Sequence, residues 1–89
     1  MSEGYADYAA NRLLAAADLA QSSAEGALFI SDAVANISDS VNAVGTAYAQ
    51  SYQELLSHLA SATGAAATLF AALTETLRVD AAALRSGGG

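Results

Sequence analysis

The fold depends on how the stretch "SVNAVGTAYAQSYQELL", residues 40–56, connects the two halves of the chain. Before it, apolar residues recur at alternating steps of four and three, the spacing of one face of a helix in a coiled coil. After it the same steps resume one residue out of phase, and the break falls at Gly45. The stretch therefore predicts either a turn at Gly45 or a weak point in one long helix.

The composition around the break favours a turn. Residues 36–46 are rich in Asn, Ser, Asp, Gly and Thr, which are poor formers of helix interiors. Gly45 can adopt the left-handed conformation that ends a helix, and Thr46 is a suitable N-cap for the next one. We predict two antiparallel helices over about 5–40 and about 46–85, a turn over about 41–46 and a flexible glycine tail at 86–89. A single helix is the alternative, because one glycine costs only ~1 kcal/mol inside a helix.

Composition places the chain among small all-α proteins. Its 89 residues form at most one domain, spanning 1–89. Proline and cysteine are absent, and hydrophobic residues, alanine above all, make up 54% of the chain. This mixture favours helix over strand.

The alternating apolar pattern predicts which side chains meet between the two helices, along the line of contact called the seam below. In the first helix the pattern also runs upstream to Leu13. The second helix has its own series, ending at Leu73. The predicted seam consists of Ile30, Val34, Ile37 and Val41 from the first helix and Tyr48, Tyr52, Leu55, Leu59, Leu69 and Leu73 from the second.

A second apolar row beside this predicted seam suggests a partner. The row is spaced by sevens along the second helix, and an aromatic residue of the first helix adds to it. Its members are Phe29, Leu56, Phe70, Leu77 and Leu84. A two-helix seam does not need so wide an apolar face. We therefore predict that two hairpins pair into a four-helix bundle, as a homodimer or with a related chain. The alternative is that alanine-rich helices approach closely and wrap these large residues between them.

A row of acids gives a separate indication of helix. Asp18, Glu25, Asp32 and Asp39 are spaced by seven, so they share one face, which the predicted seam places farthest from the contact line. A solvated outer face is the favoured interpretation, and a docking stripe for a basic partner is the alternative.

The sequence does not indicate an enzyme. Ser57 and His58 are adjacent, and neighbours on a helix do not face each other. Metal-ligand clusters, phosphate-binding glycine loops and cysteine nucleophiles do not occur in the sequence. We predict no catalytic residue, no cofactor and no metal, with His58 as a surface or interface residue.

Charge and hydropathy narrow the partners. Three Lys and Arg against nine Asp and Glu give a net charge of -6, which argues against nucleic acid and against anionic membranes. No stretch is predicted to span a membrane. The N-terminus lacks the basic-then-apolar order of a signal peptide, so any export is expected to use another route.

The segment "GTAYAQSYQELLSHLASATGAAATLFAALTETLRVDAAAL", residues 45–84, resembles the second helix of a known family. An acidic, alanine-rich helical hairpin with a glycine at the turn is similar to the small substrates of the actinobacterial type VII (ESX) secretion system. The likeness is strongest to the EspC/EspF-like secretion-associated proteins and weaker to the WXG and PE hairpins. It covers about half the chain, with an aromatic at Tyr52 followed by leucines at Leu55 and Leu59.

Two features depart from that family. Ala43-Val44-Gly45 stands where a Trp-x-Gly motif would be, so the glycine is kept and the tryptophan is lost. The family's export signal is a Tyr followed four residues later by Asp or Glu, and no tyrosine of this chain meets that pattern. The signal would then lie on a co-secreted partner, or the chain is truncated.

The resemblance implies a non-enzymatic protein that acts through helix–helix association. It would be a secreted or cell-envelope protein, cytoplasmic before export, with another hairpin and a secretion ATPase or chaperone as partners. A cytoplasmic chaperone hairpin for a larger toxin is one alternative, and a self-assembling structural helix is another.

Overall fold

The chain folds as two long α-helices joined by a short turn. The computed structural model describes residues 2–87, apart from the side chains of residues 2, 3 and 46–48. Helix α1 spans Ser2–Asn42 and helix α2 spans Thr46–Arg85. The helices pack against each other along their length, and the molecule measures 67 × 14 × 12 Å. A single helix of this chain length would extend beyond about 120 Å, so the predicted helical hairpin is confirmed and the single helix is excluded.

The turn is built around Gly45. The amides of Val44 and Gly45 donate to the carbonyls of Val41 (3.0 Å) and Asn42 (3.3 Å), which closes α1. Gly45 has φ 126° and ψ 151° and occupies the N-cap position of α2, where its carbonyl accepts the amide of Ala49 at 2.9 Å. The predicted N-cap at Thr46 is therefore wrong by one residue, because α2 already begins there. Its side chain lies outside the described residues, as do Gly88 and Gly89.

Gly45→Ala is expected to destabilise the hairpin by about 1–3 kcal/mol, because a positive φ with an extended ψ is open almost only to glycine. The matched control is Gly64→Ala. Gly64 lies exposed inside α2 and an added Cβ would meet nothing within 4 Å, so this change should stabilise by about 0.5–1 kcal/mol. Thermal unfolding followed by circular dichroism measures both. Equal effects of the two substitutions would contradict this account of the turn.

The seam is narrow and consists mainly of small side chains. In α1 it follows steps of three and four through Ala10, Leu13, Ala17, Ala20, Ala24, Ala27, Ser31, Val34, Ser38 and Val41, all buried or half-buried. In α2 it follows Ala49, Gln53, Leu56, Thr63, Ala67, Phe70, Thr74, Leu77, Ala81 and Leu84, of which only Phe70, at 36% exposed, lies at the edge. The small residues of α1 let the larger residues of α2 lie close to its backbone.

The predicted seam is displaced from the observed one. In α1 the prediction is right for Val34 and Val41, but Ile30 and Ile37 are about half-exposed. In α2 the predicted seam residues Tyr52, Leu55, Leu59, Leu69 and Leu73 are all exposed, and the side chain of Tyr48 lies outside the described residues. A shift of one residue rotates a helix by about 100°. The alternating pattern of α2 was therefore assigned to a neighbouring face.

The row predicted to bind a partner forms the seam instead. Leu56 is only 8% exposed, and Leu77 and Leu84 are half-buried within the single hairpin. The argument that these leucines exceed what the hairpin needs is therefore wrong, since the alanines and serines opposite them leave room for them. Phe29 is 75% exposed, and its role in a partner interface stays a prediction.

Candidate functional site

The two sides of the hairpin differ in the residues that flank the seam. Each step along a helix turns by about 100°. The residue after a seam residue and the residue before it are therefore separated by about 200°, or about 160° measured the shorter way around the helix. They therefore project from opposite sides of the hairpin. We call the side formed by the following residues the polar side, and the side formed by the preceding residues the charge-free face.

Hydrogen bonds between the helices mark the polar side. The Arg78 guanidinium donates to Gln21 Oε1, and the Arg85 guanidinium donates to Asn11 Oδ1. Each of these four residues directly follows a seam residue, namely Leu77, Ala20, Leu84 or Ala10 in turn. The following residues of α1 and α2 therefore lie on one common side, and the preceding residues of both helices must meet on the other.

The acids lie on the polar side too. Asp18, Glu25, Asp32 and Asp39 directly follow seam residues of α1, and Glu54 and Glu75 directly follow seam residues of α2. All six are exposed, as the interpretation of a solvated face requires. They border the seam rather than occupying the outermost column that the sequence predicted for the α1 row. The acids of both helices thus combine into one negatively charged side.

The charge-free face carries large apolar side chains from both helices. Its members are Leu19, Ile30, Ile37 and Val44 from α1 and the turn, and Tyr52, Leu55, Leu59, Leu69 and Leu73 from α2. All but Leu59 directly precede a seam residue or the turn glycine. Leu59 precedes Ala60, which is exposed but continues the seam's steps of four and three between Leu56 and Thr63. Every one of them is exposed. Between residues 13 and 79 no Asp, Glu, Lys, Arg or His directly precedes a seam residue, and the two charged residues of this side, Arg12 and Asp80, lie beyond it at the open end. An apolar surface this long is unusual for a soluble monomer and indicates an interaction site.

Near the turn the charge-free face contains a shallow depression. It is lined by Asn36, Ile37, Ser40, Val41 and Val44. Beneath this end, polar side chains connect the helices: Ser38 Oγ donates to Gln53 Oε1 at 3.1 Å, and Gln53 Nε2 donates to Asn42 Oδ1 at 2.8 Å. Polar residues within a helical seam fix its register. The positions of Ile37 and Val44 relative to α2 are therefore well defined.

The described residues offer little for catalysis or metal binding. Ser57 and His58 are both exposed. Within residues 2–87 no group of three His, Cys, Asp or Glu side chains is arranged to hold a metal ion. The surface features that remain are the charge-free face and the acidic polar side.

Helix α2 is apolar well beyond its seam. By length and composition alone its span Ala49–Arg85 could cross a membrane, with a mean hydropathy of 1.3 over its most apolar window, of which 11% is buried in the hairpin. The absence of a membrane span, expected from the sequence, stays a prediction. Because so little of the window is buried, the seam does not account for the apolar character of α2.

Comparison with protein-family models, curated proteins and solved structures finds no match to the chain. The interpretation of the surface therefore rests on its geometry.

The sequence pattern contained a signal that would have located the charge-free face. Four acids of α1, Asp18 to Asp39, are spaced by seven residues, and two acids of α2, Glu54 and Glu75, are separated by three times seven. If both acid rows are placed on one side of the hairpin, the rotation of each helix follows, and Ile37 and Leu59 turn outward together. The apolar steps alone do not fix this rotation, because two neighbouring faces of α2 satisfy them equally well.

Proposed function

We propose that this chain is a non-enzymatic helical hairpin that acts through helix–helix association in type VII (ESX) secretion, as a secreted substrate or the co-secreted partner of one. The charge-free face carries the proposal, since it supplies an exposed apolar surface along two antiparallel helices. Such a surface is what a second hairpin needs to complete a four-helix bundle.

The likeness of residues 45–84 to ESX secretion-associated proteins supports the choice of pathway. The glycine of the family's turn motif corresponds to Gly45, which adopts a conformation that favours glycine. Tyr52, Leu55 and Leu59, the residues that carry the likeness, lie on the charge-free face. In this proposal they are association residues rather than seam residues. In this proposal the chain is cytoplasmic before export and leaves the cell by the type VII route.

Export is testable directly. A tagged chain expressed in an actinobacterial host is expected in the culture supernatant when the type VII secretion ATPase is present, and only in the cells when that ATPase is deleted. Because the chain lacks the Tyr-x-x-x-Asp/Glu pattern, its co-expressed hairpin partner should be required as well. A tagged cytoplasmic protein serves as the lysis control. Retention in the cells under every condition would contradict the secretion proposal and favour the chaperone alternative.

A further inference from the structure

We propose, building on the function proposed above, that the charge-free face binds a second copy of this chain. The two hairpins lie antiparallel to each other across a two-fold axis near the middle of the face. The occupant is inferred from the thinness of the seam, the size of the face, the placement of charge and the order of large and small residues along it.

The seam buries only part of the large apolar side chains of the hairpin. Among the described residues nine hydrophobic side chains are buried, and seven of them are alanines, with Val34 and Leu56 as the exceptions. The nine large side chains of the charge-free face lie outside it. Burial of apolar surface is the main stabilising contribution to small domains. A second layer of helices on this face would therefore add most of the apolar burial that the single hairpin lacks.

The size of the face matches a stable dimer. The hairpin is 67 Å long and 14 Å wide, and length times width gives a projected area of roughly 900 Å², against the ~800 Å² that each partner contributes to a standard interface. The cluster nearest the turn covers only about a third of that length. The contact therefore has to extend along most of the hairpin, which requires a partner of similar length and shape.

The distribution of charge favours an identical partner. A basic partner would be drawn to the acidic polar side, which is the opposite surface. Two copies that meet through their charge-free faces keep all twelve acids of the two polar sides turned away from each other, six from each chain. A two-fold interface uses the same patch on both chains, and between residues 13 and 79 this patch carries no charge to repel its copy.

The order of residue sizes along the face sets the orientation. Ile30, Ile37, Val44, Tyr52, Leu55 and Leu59 form a large cluster towards the turn. Leu19, Leu69 and Leu73 form a smaller cluster towards the open end, level with the Gln21–Arg78 hydrogen bond. Between them the face is lined by Ser23, Gly26, Ala62 and Ala66. Small residues allow two helices to approach closely, so we place the two-fold axis at these four residues. With the axis there, the turn cluster of each copy packs on the open-end cluster of the other.

Sedimentation equilibrium tests the occupant. The wild-type chain alone is expected to be a dimer at micromolar concentration. Ile37→Glu and Leu59→Glu should each weaken dimerisation by at least 100-fold, because a carboxylate in the interface would be buried without a partner. The matched control is Leu28→Glu. Leu28 is a large apolar residue of α1, 57% exposed against 49% for Ile37, but it directly follows the seam residue Ala27 and so lies on the polar side. This variant should dimerise as the wild type does.

Three outcomes would overturn the proposal. A wild-type monomer at high micromolar concentration is one. Equal loss of dimer in Leu28→Glu is another, because it would place the interface elsewhere. A monomer that floats with vesicles of neutral phospholipid, and loses that binding in Ile37→Glu, would assign the face to a membrane. Circular dichroism of each variant shows whether the hairpin itself is still folded.

A distance measurement tests the orientation. A spin label on Ala43→Cys, in the exposed turn, lies about 17 to 20 residues from the proposed axis at Ser23 and Gly26, so the antiparallel dimer should separate the two labels by about 50 Å or more at ~1.5 Å per residue. A parallel dimer would bring them within roughly 30 Å, the width of two hairpins, and would contradict the arrangement.

The outcomes also separate this proposal from the proposed function. A chain that is monomeric alone, forms a complex with a different hairpin and is still exported by the type VII ATPase would overturn the self-association and leave the secretion proposal standing. A dimer with the expected variant effects that never leaves the cell would do the reverse.

Discussion

Ala17→Glu is expected to separate the two helices around the middle of the open half of the hairpin. Ala17 is 0% exposed and lies in the seam between α1 and α2, so a longer side chain must push the helices apart or bury a carboxylate. Either outcome should cost about 3 kcal/mol or more. Glutamate is a good helix former, so the loss would come from packing between the helices and not from α1 itself.

Two measurements isolate that effect. Thermal unfolding gives the loss of stability, and the distance between spin labels on Arg12 and Asp80, at the open end, shows whether the hairpin has opened. The matched control is Ala15→Glu. Ala15 lies two residues earlier on the exposed surface of α1 and should tolerate the same side chain. An Ala17→Glu variant as stable as Ala15→Glu would contradict the close approach of the helices at this point.

Leu56→Ala is expected to destabilise the hairpin by about 2–5 kcal/mol, the range for truncating a buried leucine. Leu56 is 8% exposed within a single chain, since it packs between α2 and the small residues of α1. Because the seam contains few large side chains, the loss of this one should fall towards the upper part of that range. Denaturant unfolding measures the change.

The neighbouring residue provides the comparison for Leu56. Leu55→Ala removes the same atoms from a side chain that is 64% exposed in the hairpin, on the charge-free face. Leu55→Ala should lower the free energy of unfolding only by weakening self-association, so its effect should shrink as the protein is diluted. The loss of stability in Leu56→Ala should persist at every protein concentration. If the dependence on concentration belonged to Leu56 instead, the seam would have the register first predicted from the sequence.

The helices and the turn could be predicted because local physics decides them. Alanine, leucine and glutamine favour helix throughout, and proline is absent. Around Gly45 the side chains compete with backbone hydrogen bonds, and the glycine accepts a φ of 126°. These effects act within a few residues, so the pattern predicted two helices and the position where they reverse direction. The cap at Thr46 was misplaced by one residue because Gly45 itself takes that position.

The facing surfaces could not be predicted from the apolar steps. In α2 the series through Tyr52 and Leu59 and the series through Leu56 and Leu77 have the same spacing, one residue apart. The spacing of large side chains says that a face is apolar and does not say which partner covers it. Of the residues predicted for the seam, Val34 and Val41 are shown in it, together with Leu13, to which the predicted pattern of α1 extended.

The sequence by itself determined an all-α chain, two helices of matched length, the turn at Gly45 and an acidic row that shares one face of the first helix. Only the tertiary structure decided how each helix is rotated. Ala10, Ala17, Ala24, Ser31 and Ser38 give α1 a flat surface onto which Leu56, Leu77 and Leu84 fit closely. Close approach of the backbones gains more contact than matching large residues with large ones, because dispersion attraction falls away over a fraction of an ångström. That choice turns Ile37 and Leu59 outward and creates the charge-free face.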